Sequence, residues 1–293
     1  MRVTNRTAHA SHTRGLRGNE PVVSRTARTF LATTLLAILA SWPAAGRGDE
    51  PELPDSADFS RSQPVLDTLP AVPEPFRAGE SLRFSVQYGF IHAGSAWLEV
   101  PEVAEWNGHR AWRLVARAES NGFFDKVYRV RNRIESLWDQ DSLFSWRYFE
   151  DRHEGKYTAN DTVTYEPDSL RMRYNNGQSY AVPGPVQDAL SSFYLTRTQA
   201  LPIGGRIGFD YHASRKTSPM EVRVLGRETV KTPAGKFHCV VLEPLLKVGG
   251  IFKNKGRLVI WLTDDDRRMP VLMKSKVVIG SVKVVLQEVK SGT

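Results

Sequence analysis

The feature that most constrains this chain is a two-residue alternation of apolar and polar side chains, which begins after Phe76 and continues almost to the C-terminus. In the segment ESLRFSVQY, Leu82, Phe84 and Val86 alternate with arginine, serine and glutamine. Successive side chains of a β-strand point to opposite faces, so this period is typical of a strand with one buried face. The pattern recurs in HRAWRLVARAE, directly after an Asn-Gly pair at 107–108 that favours a tight hairpin turn.

Ten further segments have strand-like patterns, and short turn sequences such as NNG, PIGG and PAG separate them. They are residues 128–138, 144–150, 156–165, 170–174, 206–212, 220–230, 237–248, 257–263, 271–279 and 281–289. About twelve short strands joined by tight turns predict an antiparallel meander. The predicted fold class is therefore mainly β: a large curved antiparallel sheet, or an open or partly closed β-barrel.

The segment QDALSSFYLTRTQA departs from this alternation. Leu190, Phe193, Tyr194 and Arg197 recur in it at helical spacing, and Asp188 precedes them as a candidate N-cap. We predict one short α-helix here, lying against the sheet and covering part of its apolar face.

Residues 1–46 have the layout of a secretory signal peptide. Arg25 and Arg28 precede an apolar run over 30–40, and small residues follow as far as Gly46. A membrane anchor is the alternative, but the apolar run has about half of the roughly 20 residues that span a bilayer. The residues before Val22 lack an apolar pattern and indicate an over-long start. We expect an exported protein that is not integral to the membrane after cleavage.

The remaining organisation is a linker over residues 47–75 and a single β-rich domain over residues 76–293. Residues 48–75 contain six prolines and seven acidic residues but few apolar ones, which predicts a disordered segment. The chain has a formal net charge of +8, but six arginines and one glutamate lie in residues 1–46, so the mature protein would carry +3. This small charge gives no indication of nucleic-acid binding.

Cys239 is the only cysteine, so no intramolecular disulfide can form. An exported chain without a disulfide depends on its core for stability, which fits a gram-negative type of periplasm better than a eukaryotic secretory route. His238 beside it resembles a thiol–imidazole pair. Neighbours on a strand point to opposite faces, however, and we predict a buried, inert thiol.

Three consecutive carboxylates, Asp264 to Asp266, lie between two apolar segments. A calcium loop would need more oxygen ligands at alternating positions and a glycine at the bend, and neither occurs here. Arg267 and Arg268 supply local counter-charge. We therefore predict a hairpin turn and no metal site.

Motifs of the familiar enzyme classes are absent from the sequence. It contains no nucleophile elbow, no Ser-x-x-Lys motif and no glycine-rich phosphate loop. Catalytic groups can assemble in three dimensions without a local motif, and for a hydrolase the candidates are Asp125, Glu154 and Asp265. We nevertheless predict a protein that is not an enzyme and that uses no cofactor.

Candidate binding residues fall into two groups. Arg129, Arg131 and Arg133 occupy alternate positions and predict a basic stripe, either a solvated outer face or a rim that contacts anionic lipid headgroups. Aromatic residues are either core or the lining of a cavity, because one helix cannot cover the inner face of so many strands. The aromatic candidates are Trp112, Tyr128, Trp138, Phe193 and Tyr194.

Five stretches occur together and in order: FRAGESLRFSVQYGFIHAGSAWLEV, NGFFDKVYRVRNRIESLWD, QDALSSFYLTR, VLGRETVKTPAGKFHCVVLEP and IWLTDDDRRMPVLMKSKVVIGSVKVVLQE. Together they resemble a bacterial family of unknown function, DUF3108, whose members are exported envelope proteins. The resemblance implies a periplasmic antiparallel β domain and supplies no activity, catalytic residue or cofactor. Positions that match the family's pattern are Gly79, Glu80, Phe124, Asp125, Tyr128, Gln187, Asp188, Ser191, Tyr194, Gly235, Trp261, Thr263 and Asp265. Among these, Gly235 fits a turn and Asp188 a helix cap.

Three functional hypotheses follow from this sequence. The first is a non-enzymatic periplasmic binding protein whose curved sheet holds an apolar ligand, such as a lipid or the acyl chains of a lipoprotein. The second is an envelope scaffold that pairs an exposed sheet face or edge with another envelope protein. The third is a hydrolase that acts on envelope glycans.

Overall fold

A computed structural model describes residues 74–248, 251–253, 257–276 and 281–292 of the chain. The signal-peptide prediction and nearly all of the linker prediction lie outside the described residues. No described helix combines the length and the apolar character that a membrane-crossing helix requires.

The described residues form fifteen β-strands and two helices. The strands are β1 (Glu80–Tyr88), β2 (Ile91–Trp106), β3 (His109–Ser120), β4 (Val130–Asp139), β5 (Ser145–Glu154), β6 (Tyr157–Glu166), β7 (Arg171–Tyr174), β8 (Ser179–Ala181), β9 (Arg206–Ala213), β10 (Lys216–Thr232), β11 (Gly235–Val248), β12 (Ile251–Lys253), β13 (Leu258–Thr263), β14 (Pro270–Lys276) and β15 (Ser281–Lys290). The helices are α1 (Gly122–Tyr128) and α2 (Ala189–Thr198).

All fifteen strands belong to one antiparallel sheet, which confirms the predicted fold class. Its order is β8-β7-β6-β5-β4-β3-β2-β1-β15-β14-β13-β11-β10-β9, and β12 pairs with β11 off this path. Two meanders, β1–β8 and β9–β15, are therefore joined by the pairing of β1 with β15. As predicted, Leu82, Phe84 and Val86 of β1 are buried and their neighbours along the strand are partly exposed.

The two edges of the sheet, β8 and β9, approach each other without forming a ladder between them. Backbone hydrogen bonds of Gln187 bridge the gap: Gln187 donates its N–H to Asp210 O at 2.8 Å, and its carbonyl accepts from His212 N at 2.8 Å. The preceding residue, Val186, accepts from Ser145 N of β5. The sheet is thus a curled, open barrel with a seam between β8 and β9.

Helix α2 connects the two edges and lies inside the curl. The buried N-cap Asp188 accepts hydrogen bonds from the backbone N–H groups of Leu190 and Ser191, as the sequence predicted. Eight of the ten residues of α2 are buried, and they include polar ones such as Ser192 and Arg197. The helix therefore lies against the apolar inner face of the sheet, as predicted, and is also enclosed by it.

Across the seam, His212 of β9 lies 3.0 Å from the hydroxyl of Tyr174 and 2.8 Å from Thr217 Oγ1. Burial lowers the pKa of His212 to about 4. Because the folded state holds this ring neutral, its contribution to stability is present above the unfolded pKa of about 6.5 and is lost as the pH falls towards 4.

We therefore expect the free energy of unfolding to drop by about 3 kcal/mol more between pH 7 and pH 4 in the wild type than in a His212→Gln variant. Urea unfolding followed by tryptophan fluorescence at several pH values measures this difference. Equal pH dependence in the two proteins would contradict a neutral, buried His212.

The three aspartates form the predicted turn between β13 and β14. Asp265 accepts from Thr263 Oγ1 at 2.5 Å and from Arg267 N at 3.1 Å. Burial favours a higher pKa for Asp264, but hydrogen bonds from Arg227 and Arg268 outweigh it and hold that pKa below its usual value. These carboxylates are therefore partners of nearby arginines and backbone groups.

The lone thiol also lies where the sequence placed it. Cys239 is buried, and burial raises its pKa to about 11, while the ring of His238 contacts Thr229 instead. Gly235 begins β11 with φ of +140°, a conformation that disfavours other residues.

Two elements, β2 and α1, differ most from the predictions. Strand β2 was absent from the predicted strands because Gly94 and Pro101 interrupt its pattern, and a register shift between Glu99 and Glu102 accommodates the proline. Helix α1 was also not predicted, and it takes Tyr128 out of the strand proposed for residues 128–138. Asn121 caps this helix through Phe123 N and Phe124 N, a local signal that the alternation obscured.

Candidate functional site

Four of the five aromatic candidates lie together, around a fifth residue that the sequence did not single out. The ring of Phe76 lies 5.4 Å from Trp112, 6.3 Å from Trp138 and 4.8 Å from Tyr194, measured between centroids, and Phe193 lies 5.8 Å from Tyr194. Trp138 and Tyr194 are fully buried, whereas Trp112 is partly exposed. This cluster packs α2 against β3 and β4, and a binding role for its members stays a prediction.

Tyr128 lies apart from this cluster. As the last residue of α1, it donates its hydroxyl to Glu154 O at 2.7 Å. Burial, and then the nearby Glu154, raise its pKa to about 12. Tyr128 packs against the same hydrophobic core as the four other aromatic candidates but, among the described residues, makes none of the ring contacts that join them.

The predicted arginine stripe is only partly a stripe. Arg129 is the C-cap of α1 and does not belong to a strand. Arg131 and Arg133 share the outer face of β4, but Arg131 contacts Asp125 at 2.6 Å and Arg133 contacts Glu135 at 2.6 Å. These ion pairs occupy two of the three guanidinium groups that were expected to form a cationic rim.

The outer face of β3, β4 and β5 carries a groove of about 310 Å³, which we call the β3–β5 groove. The strand register explains its composition. Leu137 pairs with Arg113 on one side and with Arg147 on the other, and in the next outward row Glu135 pairs with Phe149. These five residues line the groove. Its volume lies at the lower end of the range for small-molecule sites.

The charges in this groove are unequally compensated. Glu135 accepts from Arg113 Nε at 3.0 Å, and hydrogen bonds from Arg113 to Glu102 and Glu135 raise the pKa of that guanidinium. Arg147 stacks over the ring of Trp106 at 5.7 Å and has no ion pair within the residues that the structure describes. The groove thus combines an apolar floor, from Leu137 and Phe149, with one guanidinium available to an anion.

The carboxylates considered for hydrolysis serve structural contacts, and Asp265, in the β13–β14 turn, lies at the other end of the barrel from Asp125 and Glu154. Asp125 accepts from Arg131, which holds the pKa of Asp125 below its usual value. Glu154 is buried and accepts from Asn132 and Arg152. Among the described residues, no group of three histidine, cysteine or acidic side chains could hold a metal ion.

Sequence reasoning missed the β3–β5 groove although each outward position was visible in the alternation. The sequence identifies which residues of one strand share a face, but the groove forms only where residues of three neighbouring strands lie side by side. Which residues lie side by side depends on the strand register, and the register of β4 with β5 shifts by one residue between Leu137 and Trp138. A local pattern contains no signal for such a shift.

Comparisons with known proteins agree with this fold. A family model described as "Protein of unknown function (DUF3108)" matches residues 83–287. Among curated proteins, none matches the chain.

One solved structure shares this architecture at low sequence identity, and two others are similar to the chain by weaker scores. A β-barrel-like protein of a domain of unknown function, DUF1849, from Brucella abortus has 8% identity and a TM-score of 0.54, with 74% of this chain and 99% of that chain covered. A putative exported protein with a YmcC-like fold from Bacteroides fragilis has 12% identity and a TM-score of 0.34 over 74% and 98% of the two chains. A putative lipoprotein from Parabacteroides distasonis has the same four values.

Proposed function

The chain belongs to the DUF3108 family of proteins of unknown function, and from this starting point we propose that it is a non-enzymatic binding protein of the cell envelope. Its ligand is an amphiphile with an anionic group, held in the β3–β5 groove. The observation that carries the proposal is the Arg147 guanidinium, which has no ion pair with any described residue and lies beside the apolar surfaces of Leu137 and Phe149.

The chemistry of the groove matches such a ligand. An acyl or other apolar chain would cover Leu137 and Phe149, which gains about 25 cal/mol for each Å² of apolar surface removed from water. A carboxylate or phosphate would pair with Arg147, whose planar guanidinium can donate two parallel hydrogen bonds. Glu135, held between Arg113 and Arg133, would repel an anion at the other end of the groove and so orient the ligand.

The interior gives less support to a carrier that encloses its ligand. Helix α2 lies against the inner face beside Trp138, and both Trp138 and Tyr194 have no exposed surface. A chain of acyl size could reach these residues only by displacing the helix. The outer groove is open in the folded state and requires no such change.

Absence of catalysis is part of the proposal. Asp125 and Glu154, the carboxylates nearest to α1, are each held by an arginine, and Asp265 is held by Thr263 and Arg267. Export rests on the signal-peptide pattern of residues 25–46.

The proposal predicts that dodecyl phosphate binds more tightly than dodecylphosphocholine, because only the former presents an uncompensated anion. Arg147→Gln should weaken dodecyl phosphate binding about tenfold, through loss of a charge-assisted hydrogen bond. Phe149→Ser should weaken both ligands about tenfold, since part of the apolar floor is lost. Isothermal titration calorimetry on the purified protein measures these affinities.

Arg83→Gln is the matched control, because Arg83 is also an outward-facing arginine but lies on β1 beside Glu288. It should leave both affinities unchanged. Equal affinities in the wild type, Arg147→Gln and Phe149→Ser would refute binding in this groove. Native mass spectrometry of protein purified from its own envelope would then identify what, if anything, it carries.

A further inference from the structure

The most exposed apolar side chains of the described chain gather at one end of the barrel. This end, here called the α1 end, comprises the β1–β2 turn (Gly89–Phe90), helix α1 and the β5–β6 turn (Gly155–Lys156). Phe90 is 99% exposed, Phe123 is 68% exposed and Val127 is 61% exposed. Soluble surfaces rarely cluster rings and branched side chains in this way unless the cluster has a binding partner.

Local structure holds these side chains outward. Asn121 links the two neighbouring elements, because its side-chain amide donates to His92 O at 2.7 Å and its backbone N–H donates to Ala93 O at 2.9 Å. Within α1, Phe124 and Tyr128 are four residues apart and face inward, so that Phe123 and Val127, also four apart, face solvent.

Positive charge surrounds this apolar patch. Lys283 lies over the ring of Phe90 at 5.7 Å. Lys126, Lys156 and Lys276 are exposed at the same end, and none of them forms an ion pair within the part of the chain that the structure describes.

Two of the acids at the α1 end are paired with arginines. Asp125 pairs with Arg131, and Glu154 is buried against Arg152. The turns at the opposite end contain Asp141, Asp168 and the three aspartates that begin at Asp264, of which Asp264 and Asp265 are paired with arginines.

We infer that the α1 end docks on the surface of an anionic phospholipid bilayer. Exposed phenylalanines enter the headgroup region and remain there because their rings leave water, while the surrounding lysines contact lipid phosphates. The surface is separate from the β3–β5 groove, whose strand positions Arg113 and Arg147 lie towards the opposite end. Docking would thus leave the groove facing away from the bilayer.

The test uses the exported protein and vesicles of phosphatidylglycerol and phosphatidylethanolamine, with phosphatidylcholine vesicles as the neutral comparison. Sedimentation should recover the protein with the anionic vesicles and not with the neutral ones. A Phe90→Ser/Phe123→Ser variant should bind the anionic vesicles at least about tenfold more weakly. A Lys126→Gln/Lys276→Gln variant should lose about 30-fold.

A matched control comes from Ile203, which is 60% exposed in the connection between α2 and β9, outside the elements that form the α1 end. Ile203→Ser should bind as the wild type does. Brominated phosphatidylglycerol should quench the added fluorescence of Phe90→Trp and leave that of Ile203→Trp unchanged. Vesicle binding through residues 1–73, which all variants share, would not produce this difference between the two tryptophans.

Three outcomes would overturn the inference. The first is equal vesicle binding by all variants that keep native thermal unfolding, and the second is quenching of Ile203→Trp to the same extent as Phe90→Trp. The third is a dimer that forms in the absence of lipid and that Phe90→Ser/Phe123→Ser abolishes. The last result would assign the patch to a second copy of this chain. Because none of these variants touches the groove, failure here leaves the dodecyl phosphate measurements unaffected.

Discussion

Replacing Arg197 with alanine is expected to destabilise the protein by about 3–5 kcal/mol, because it leaves the buried carboxylate of Glu80 without its partner. The Arg197 side chain has no exposed surface and binds Glu80 with two hydrogen bonds, of 2.7 and 3.0 Å. It also donates to Arg267 O at 3.1 Å and lies over the rings of Phe76 and Tyr194 at 4.9 and 5.1 Å. Arg197 therefore connects α2 to β1, to the β13–β14 turn and to Phe76, which precedes β1.

Urea unfolding of Arg197→Ala measures the loss, and Arg83→Ala is the comparison. Arg83 forms an equally close pair with Glu288 on the exposed outer face, where water screens both charges, so its midpoint should hardly change. An Arg197→Met/Glu80→Leu double variant should recover much of the stability, because no buried charge is left unpaired. Equal midpoints for Arg197→Ala and Arg83→Ala would contradict a buried pair.

Asp188→Ala is expected to cost about 3 kcal/mol, a larger loss than removal of an ordinary helix cap. The carboxylate accepts four hydrogen bonds: from Leu190 N and Ser191 N at the start of α2, from Ser136 Oγ at 2.6 Å, and from Ser145 Oγ. The substitution removes the cap and leaves two buried hydroxyl groups without their acceptor. Thermal unfolding monitored by circular dichroism measures the change.

Asn121→Ala is the matched control, because Asn121 caps the short surface helix α1 without any buried serine. It should cost about 1 kcal/mol. If the two substitutions cost the same, the Ser136 and Ser145 contacts add nothing to the cap.

The pH dependence of an Asp188→Asn variant tests the charge separately. Burial raises the pKa of Asp188, although the hydrogen bonds from Ser136 and Ser145 oppose the shift. A carboxyl with a raised pKa contributes most to stability below its unfolded pKa of about 3.9, and that contribution is lost as the pH rises through the folded value. We therefore expect Asp188→Asn to cost more at pH 4 than at pH 7, and the opposite trend would contradict the raised pKa.

Much of this architecture could be predicted from short stretches of the sequence. The alternation in β1 and β3, the Asn-Gly turn at 107–108, the cap at Asp188 and the turn at Asp264 each depend on neighbours within a few residues. Such features survive in a sequence because the backbone conformations they require are decided by short-range sterics and hydrogen bonds.

The candidate sites were less accessible to this reasoning. Arg131 and Arg133 do face outward together, but Asp125 and Glu135 form ion pairs with them. The alternate spacing of the arginines, from which the stripe was predicted, gave no indication of these two partners. The groove residues were overlooked because Arg113 and Arg147 meet only through Leu137 on the strand between them. The α1 patch was overlooked because a seven-residue helix interrupts two strands and turns Phe123 and Val127 outward.

By itself, the sequence determined the class of fold, the period of its strands and the ends of its main helix, since all of these follow from side-chain alternation and backbone preferences over short distances. Only the tertiary structure decided that α2 lies inside the curl, that Glu80 meets Arg197 across 117 residues, and which outward side chains form a groove. The physical reason is the same in each case. Strand register and the closure of a curved sheet are collective properties, set by which edges meet, and no local segment contains that information.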